Sequence, residues 1–182
     1  MGKIPSSEIV FVGGMGDISH CDPANFRLII DEIHRKNRRR RKNKPEQTFY
    51  FQSKRPEYFK QFLGELPKNA VLLTTLETNR DEGYDQISQA PVPSERYRQF
   101  LELAYPRKVV TIEPVMDFDH KTFLEWIVQI KPEYVYLGFN SKPKAVQLPE
   151  PTPQKFFDFI AALKQHGIQV HLKNDRDLRK AG

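Results

Sequence analysis

Six short runs of apolar residues, rich in β-branched and aromatic side chains, recur along the chain. Most of these runs are apolar at several successive positions instead of alternating with polar residues, which is typical of buried strands in a parallel sheet covered on both faces. The pattern predicts six buried strands, at residues 9–12, 48–51, 71–75, 109–112, 134–137 and 169–172.

Five segments between these runs have the periodicity of amphipathic helices. In each segment apolar residues recur at positions i, i+3, i+4 and i+7, so each helix presents one apolar stripe to a sheet. The five stripes start at Phe26, Phe59, Tyr97, Phe123 and Phe156. Capping residues and prolines mark the expected helix starts, and a glycine marks the end of the last helix. These residues are Asp22 with Pro23, Pro56, Ser94, Asp119, Thr152 with Pro153, and Gly167.

The alternation of strands and helices indicates the fold class. Consecutive βα units give parallel strands joined by right-handed crossovers, in an α/β domain. An open doubly wound sheet and a βα barrel share this pattern. Polar residues follow every predicted strand, and a barrel brings all strand ends to one mouth. We therefore predict a parallel (βα)6-type partial TIM barrel, whose arc is either open or completed by something else.

Length and composition narrow the class of protein. A chain of 182 residues with 38% hydrophobic side chains suits one domain, spanning residues 1–182. The mean hydropathy is −0.63, no apolar run approaches the ~20 residues that cross a bilayer, and the first residues lack a signal-peptide pattern. We therefore expect a cytoplasmic protein without a membrane partner.

Cys21 is the single cysteine, which excludes an internal disulfide and an iron–sulfur cluster held by this chain's thiolates alone.

The net charge of +6 comes from one basic segment. Eight basic residues and no acidic residue lie within residues 35–44, so we predict a basic loop at about residues 35–45. Its arginines are Arg38, Arg39, Arg40 and Arg41, which follow the first helix, where cations interact favourably with the helix dipole. That position is on the N-terminal face of the barrel. Such a run is either solvated or binds nucleic acid through phosphates, with an affinity that falls steeply with salt.

Two carboxylates and two lysines follow predicted strands. Glu77 and Glu113 would form an acid/base pair if burial beside another carboxylate raised one pKa. The alternative is that each glutamate forms a structural ion pair with Lys54, Arg55 or Lys173. If Lys54 and Lys173 were not paired with glutamates, they would give the barrel mouth a positive charge suited to an anionic substrate.

Asp17, His20, Cys21 and Asp22 form a compact group after the first predicted strand. Their imidazole, thiolate and carboxylate groups could ligate a metal ion. Asp22 is better explained as a helix cap, and we predict no metal site.

Five short motifs occur together in one order along the chain. They are residues 11–17 (FVGGMGD), 52–56 (QSKRP), 76–79 (LETN), 111–116 (TIEPVM) and 137–141 (LGFNS). In order and spacing the chain resembles, over residues 8 to 175, a phage and prokaryotic protein family of unknown function that is itself similar to the radical S-adenosylmethionine superfamily. The resemblance implies a radical-SAM-like partial barrel that binds S-adenosylmethionine at a glycine-rich turn, where glycines permit close backbone approach.

The resemblance also implies roles for individual residues. The glycine-rich turn and an acidic residue would face the amino group of the cofactor, the next loops would face its ribose or a substrate, and the remaining strand ends would face the substrate. The residues that would face the amino group are Gly13, Gly14 and Asp17. Those that would face the ribose or a substrate are Thr75, Glu77 and Asn79, and those that would face the substrate are Lys54, Glu113, Asn140 and Lys173. The catalytic candidates among them are Glu77, Glu113 and Lys173.

The chain departs from this family at the cluster motif. Members carry an N-terminal strand with cysteines in a C-x3-C-x2-C-like spacing, and this sequence has no such segment. A [4Fe–4S] cluster would therefore have to come from a companion polypeptide, or the gene is split or truncated, or the barrel has kept a pocket without radical chemistry. An enzyme or enzyme fragment is the leading hypothesis. A non-catalytic nucleic-acid-binding or accessory protein of a phage or mobile element is the alternative.

Overall fold

The computed structural model of the chain describes residues 7–13, 16–40 and 45–173. These residues form an α/β structure in which helical segments alternate with strands. The strands are β1 (Ile9–Val12), β2 (Thr48–Gln52), β3 (Ala70–Thr75), β4 (Lys108–Ile112), β5 (Tyr134–Leu137) and β6 (Gln169–Leu172). The α-helices are α1 (Pro23–Arg39), α2 (Pro93–Glu102), α3 (His120–Ile130) and α4 (Pro153–Gln165), and 3-10 helices span Ile18–His20, Pro56–Phe62 and Tyr84–Gln86.

The six strands form one parallel sheet whose spatial order follows the chain, β1-β2-β3-β4-β5-β6. All six predicted strands are confirmed, with ends that differ by no more than one residue. The expectation that every strand is buried is wrong for the two edge strands, β1 and β6, neither of which has a fully buried residue. Ile9 and Phe11 are 54% and 56% exposed, because β1 pairs only with β2 among the described residues and lies at the sheet edge.

The two faces of the sheet differ. One face packs against the helices in a large core that contains residues from all four α-helices and alternate strand positions, among them Phe26, Phe51, Leu72, Phe100, Val110, Phe123, Leu137 and Phe156. The other face carries a smaller cluster of Tyr50, Val71, Leu73 and Val109. The single apolar stripe predicted for each helix is therefore the surface that covers the first face.

A contact between distant strands shows that the second face is concave. The Tyr134 hydroxyl on β5 donates to the Tyr50 hydroxyl on β2 at 3.0 Å, although β3 and β4 lie between them. In a flat sheet these strands would be about 14 Å apart, with side chains standing perpendicular to the sheet. The curvature is compatible with the arc of a βα barrel.

The helix starts follow local chemistry. Asp22 and Thr152 cap α1 and α4 as expected, each accepting from backbone N–H groups of the first turn. Ser94 is not a cap, because α2 begins at Pro93 and the Ser94 hydroxyl hydrogen-bonds to Asp81. Asp119 precedes α3, but its carboxylate binds Arg80 and makes no capping bond.

The second predicted helix is a 3-10 helix, Pro56–Phe62. Its buried residues Phe59 and Phe62 are three positions apart, a spacing that falls on one face of a 3-10 helix as well as of an α-helix. The apolar pattern alone therefore could not distinguish the two.

The basic segment lies at the end of the first helix, as expected, but the predicted loop at about residues 35–45 is wrong for residues 35–39. These residues extend α1, whose last turn accommodates cations because they interact favourably with the helix dipole. Arg38 and Arg39 belong to the last turn of α1 and Arg40 follows it, all exposed. Asn37 beside them donates to Asn69, the residue before β3, at 2.8 Å, which places the arginines at the edge where strands begin. Arg41 lies outside the described residues. No helix within the described ranges has the length and apolar character needed to span a membrane.

Candidate functional site

The predicted site residues lie where the strands end. Because all six strands are parallel, these positions share one edge of the sheet, which we call the carboxyl edge. Gly13 and Asp17 follow β1, Lys54 follows β2, Thr75, Glu77 and Asn79 end or follow β3, and Glu113, Asn140 and Lys173 follow β4, β5 and β6. Gly14 lies outside the described residues.

Asp17 joins the loop after β1 to the loop after β2. Its Oδ1 accepts from the Ser53 hydroxyl at 2.6 Å and the Ser19 N–H at 2.9 Å, and its Oδ2 accepts from the Lys54 N–H at 2.7 Å. Burial raises the pKa of Asp17, but these hydrogen bonds outweigh burial and hold the pKa below its usual value. Asp17 is therefore ionised at neutral pH and braces the two loops.

Gly13 occupies a position that requires glycine. Its φ is 79°, and a Cβ added there would lie 3.0 Å from Cδ1 of Ile18. The Gly16 N–H donates to the Gly13 carbonyl at 3.1 Å, which closes a tight turn. The turn alone accounts for this glycine.

Glu77 lies at the centre of a buried charged cluster. Its Oε1 accepts from Nζ of Lys54 at 2.5 Å, and its Oε2 accepts from Nη2 of Arg96 at 2.9 Å and from the Tyr84 hydroxyl at 3.0 Å. Burial would raise the pKa of Glu77, but Arg96 and Lys54 outweigh burial and hold the pKa below its usual value. This is the opposite of the raised pKa expected for an acid/base pair, and the ion-pair alternative is the one observed for Glu77.

Arg96 was absent from the sequence-based candidates. It is fully buried, its Nη1 donates to the Thr75 carbonyl at 2.6 Å, and its guanidinium lies 4.8 Å from the centre of the Tyr84 ring. One signal could have identified it. Arg96 precedes Phe100 by four residues on the apolar stripe of α2, and a charged residue on such a stripe needs a buried partner.

A cavity of about 440 Å³ opens beside the first three strands at the carboxyl edge. Its volume lies in the range of small-molecule sites. Four of the predicted site residues line it, namely Gly13, Asp17, Lys54 and Thr75. The sequence-based candidates omitted Phe11, Val12, Gly16 and Gln52, which complete the lining.

Polar side chains from adjacent strands form a hydrogen-bonded row along the cavity. The Gln52 amide donates to the Thr75 hydroxyl at 3.1 Å, and the hydroxyls of Thr75 and Thr111 lie 2.8 Å apart. These three residues face the concave side of β2, β3 and β4 because they alternate with residues of the helix-covered face. Gln52 and Thr75 line the cavity and Thr111 holds Thr75 from the neighbouring strand, so the cavity has hydrogen-bonding groups at fixed positions.

The other predicted residues do not line this cavity. Glu113 and Lys173 form an ion pair, which is the structural alternative considered for them, and the Glu113–Pro114 peptide bond is cis. The Asn140 side-chain amide donates to the Val146 carbonyl at 2.6 Å within its own loop. The Asn79 side chain accepts from the Asp119 N–H at 2.8 Å and joins the loops after β3 and β4.

The donor set of this chain does not fit a [4Fe–4S] cluster. Cys21 is the single cysteine of the sequence, and its Sγ lies 3.5 Å from the Asp22 carbonyl oxygen. The Asp22 carboxylate is engaged as the cap of α1. Among the residues that the structure describes, no three His, Cys, Asp or Glu side chains form a group that could hold a metal ion.

Comparison with known proteins leaves the site to be interpreted from its own geometry. No protein-family model, curated protein or solved structure matches this chain.

Proposed function

We propose that the chain is a radical-SAM-related partial TIM barrel that binds S-adenosylmethionine in the cavity at the carboxyl edge of β1, β2 and β3. The observation that carries this proposal is the cavity itself. It lies beside the glycine turn that follows β1, is lined by polar groups from three strand ends, and has a volume suited to a ligand of this size.

The charges around the cavity suit the amino-acid end of S-adenosylmethionine. That end carries an ammonium and a carboxylate group, and the lining offers the ionised Asp17 and the ammonium of Lys54. Asp17 accepts hydrogen bonds from Ser53, Ser19 and Lys54, so its carboxylate attracts the ammonium of the ligand chiefly through its charge. Gln52 and Thr75 supply hydrogen bonds to ribose hydroxyls.

Glu77 serves the cavity as a positioning residue. It fixes Lys54 through the 2.5 Å contact and is fixed by the fully buried Arg96. Its lowered pKa keeps it ionised, which suits an anchor for Lys54 better than a proton donor. Glu113, Asn140 and Lys173 lie further along the carboxyl edge, where a second reactant would approach the same mouth.

Radical chemistry would require thiolates from outside these 182 residues, such as those of a companion polypeptide, since the cluster that reduces S-adenosylmethionine needs three thiolates. The edge strand β1 offers a place for such a chain, because Ile9 is 54% exposed and one backbone edge of β1 has no strand beside it among the described residues. Without that companion the expected activity is binding alone.

Calorimetric titration of S-adenosylmethionine into the chain tests the proposal. We expect saturable binding, and about tenfold weaker binding or worse in Lys54→Ala, because a hydrogen bond to a charged group is lost. Lys121→Ala removes an exposed lysine from α3 and serves as the charge-matched control. Absence of heat, both for the chain alone and with a three-cysteine companion present, would contradict the proposal.

A second candidate function is nucleic-acid binding through Arg38, Arg39 and Arg40. The observation that favours it is the exposure of three consecutive arginines at the end of α1. They lie at the edge of the sheet opposite the cavity, so this function and ligand binding are separable by mutation. Arg41 was included in the same prediction and lies outside the described residues.

A further inference from the structure

Phe11 presents an aromatic ring to the cavity. It lies on the concave side of β1, lines the cavity, and is 56% exposed. Burial of a large apolar side chain is favourable, so a phenylalanine this exposed beside a cavity is available to a ligand with an apolar surface.

The ring of Phe11 is supported from behind. It stacks on the ring of Tyr50 with a centroid separation of 5.2 Å and an interplanar angle of 23°. Tyr50 is only 7% exposed, and its hydroxyl accepts from the Tyr134 hydroxyl at 3.0 Å. One face of the Phe11 ring is therefore held against a fixed partner, and the other face remains for a ligand.

The rest of the lining restricts what that ligand can be. Gln52, Thr75 and Lys54 offer hydrogen bonds beside the ring. Each of these groups has a partner within the protein and further hydrogen-bonding capacity beside it. A purely aliphatic ligand would bury that further capacity unused, which is costly in a desolvated site. A flat heterocycle with polar edges satisfies both kinds of group, because its face packs on the ring and its edges or sugar hydroxyls meet the polar side chains.

We propose that Phe11 stacks on the adenine ring of an adenosyl ligand and selects for ligands that carry such a ring. This inference rests on the proposed function, in that the cavity is the ligand site. The adenosyl group is shared by S-adenosylmethionine and by adenine nucleosides and nucleotides, and the probes below separate these sources.

The experiment measures the affinities of S-adenosylmethionine, adenosine and AMP for the wild type and three variants. Phe11→Leu keeps an apolar side chain without a ring, and Phe11→Trp keeps a ring. Tyr136→Leu removes another exposed aromatic residue, on β5 and outside the cavity lining. Stacking on an aromatic side chain changes affinity by about fivefold to a hundredfold. We expect Phe11→Leu to weaken binding of adenosyl ligands by at least about fivefold, and Phe11→Trp and Tyr136→Leu to retain it.

The outcomes distinguish the two proposals. Unchanged S-adenosylmethionine affinity in Phe11→Leu overturns the stacking role and leaves the proposed function intact. Binding of adenosine or AMP that depends on Phe11, without binding of S-adenosylmethionine, supports the stacking role and contradicts the proposed function. Failure of all three probes to bind the wild type overturns both. Circular dichroism of each variant establishes whether it is folded. If Phe11→Leu does not fold, a folded Phe11→Trp protein that no longer binds the ligands overturns the stacking role.

Discussion

Nη2 of Arg96 donates to Oε2 of Glu77 at 2.9 Å, and the two side chains are 0% and 4% exposed. The same carboxylate binds Lys54 through its other oxygen. A residue of α2 therefore helps to hold a lysine at the cavity, and the site depends on a helix whose own residues do not line it.

Glu77→Gln tests how much the buried ion pair contributes to the stability of the fold. Removing one partner of a buried ion pair leaves the other charge uncompensated, so we expect the free energy of unfolding to fall by about 3 kcal/mol. Urea denaturation measures the change. Glu65→Gln is the matched control, because Glu65 and its partner Arg27 are 42% and 45% exposed and such pairs contribute less than about 1 kcal/mol. Equal losses in the two variants would contradict the role of the buried pair.

The pH dependence of stability follows from the same carboxylate. The folded-state pKa of Glu77 lies below its usual value of 4.5 because Arg96 and Lys54 outweigh the effect of burial. The unfolded state therefore binds more protons, and the stabilisation is complete above about pH 5 and is lost as the pH falls through the folded-state pKa. Asp17, whose usual value is 3.8, adds a loss of the same sign at lower pH. Urea midpoints measured from pH 6 to pH 3 should fall more steeply for the wild type than for Glu77→Gln. Parallel curves would exclude this contribution.

Asp17→Asn tests the brace between the first two loops. The amide retains one oxygen acceptor and places an NH2 group against donors, so we expect a loss of about 1 to 3 kcal/mol in stability and weaker ligand binding. Asp31→Asn, on the exposed face of α1, provides the control. Ligand affinity that is unchanged in a destabilised Asp17→Asn protein would restrict Asp17 to a structural role.

Nucleic-acid binding is tested by replacing Arg38, Arg39 and Arg40 with alanine together. Each phosphate contact releases counterions, so the triple variant should bind a labelled oligonucleotide more weakly and with a shallower salt dependence, the slope falling by about 2 to 3. Fluorescence anisotropy at several salt concentrations provides the measurement. The control replaces the exposed Lys121, Lys144 and Lys164, which changes the net charge equally. Equal effects of the two triple variants would show that only net charge matters.

The sequence predicts the fold well because each element is specified locally. The strands are short apolar runs bounded by polar residues, and Asp22 and Thr152 act within the first turns of their own helices. The 3-10 helix and the exposure of the edge strands β1 and β6 were missed. The 3-10 helix has the same spacing of apolar residues as an α-helix. The exposure of a strand depends on whether it lies at the edge of the sheet, and no local sequence pattern encodes that position.

The site is less predictable because it depends on contacts between distant residues. The sequence predicts that the residues after the strands share one edge of the sheet. An ion pair between Lys54 and Glu77 was one of the two alternatives for Glu77, because neighbouring parallel strands bring the residues at their ends together. The contribution of Arg96 depends on how α2 is rotated against the sheet. The role of Phe11 as cavity wall depends on curvature, which the Tyr50–Tyr134 contact reveals only in three dimensions.

The central claim is that S-adenosylmethionine binds at the carboxyl edge of β1, β2 and β3, and mapping the residues that respond to the ligand tests it most directly. In ¹H–¹⁵N correlation spectra of the labelled chain, S-adenosylmethionine should shift the amide signals of Gly13, Gly16, Lys54 and Thr75, which surround the cavity. Unchanged spectra, or shifts confined to the groove between α3 and α4 that Leu124, Val128 and His166 line, would contradict a ligand site at the carboxyl edge of β1, β2 and β3.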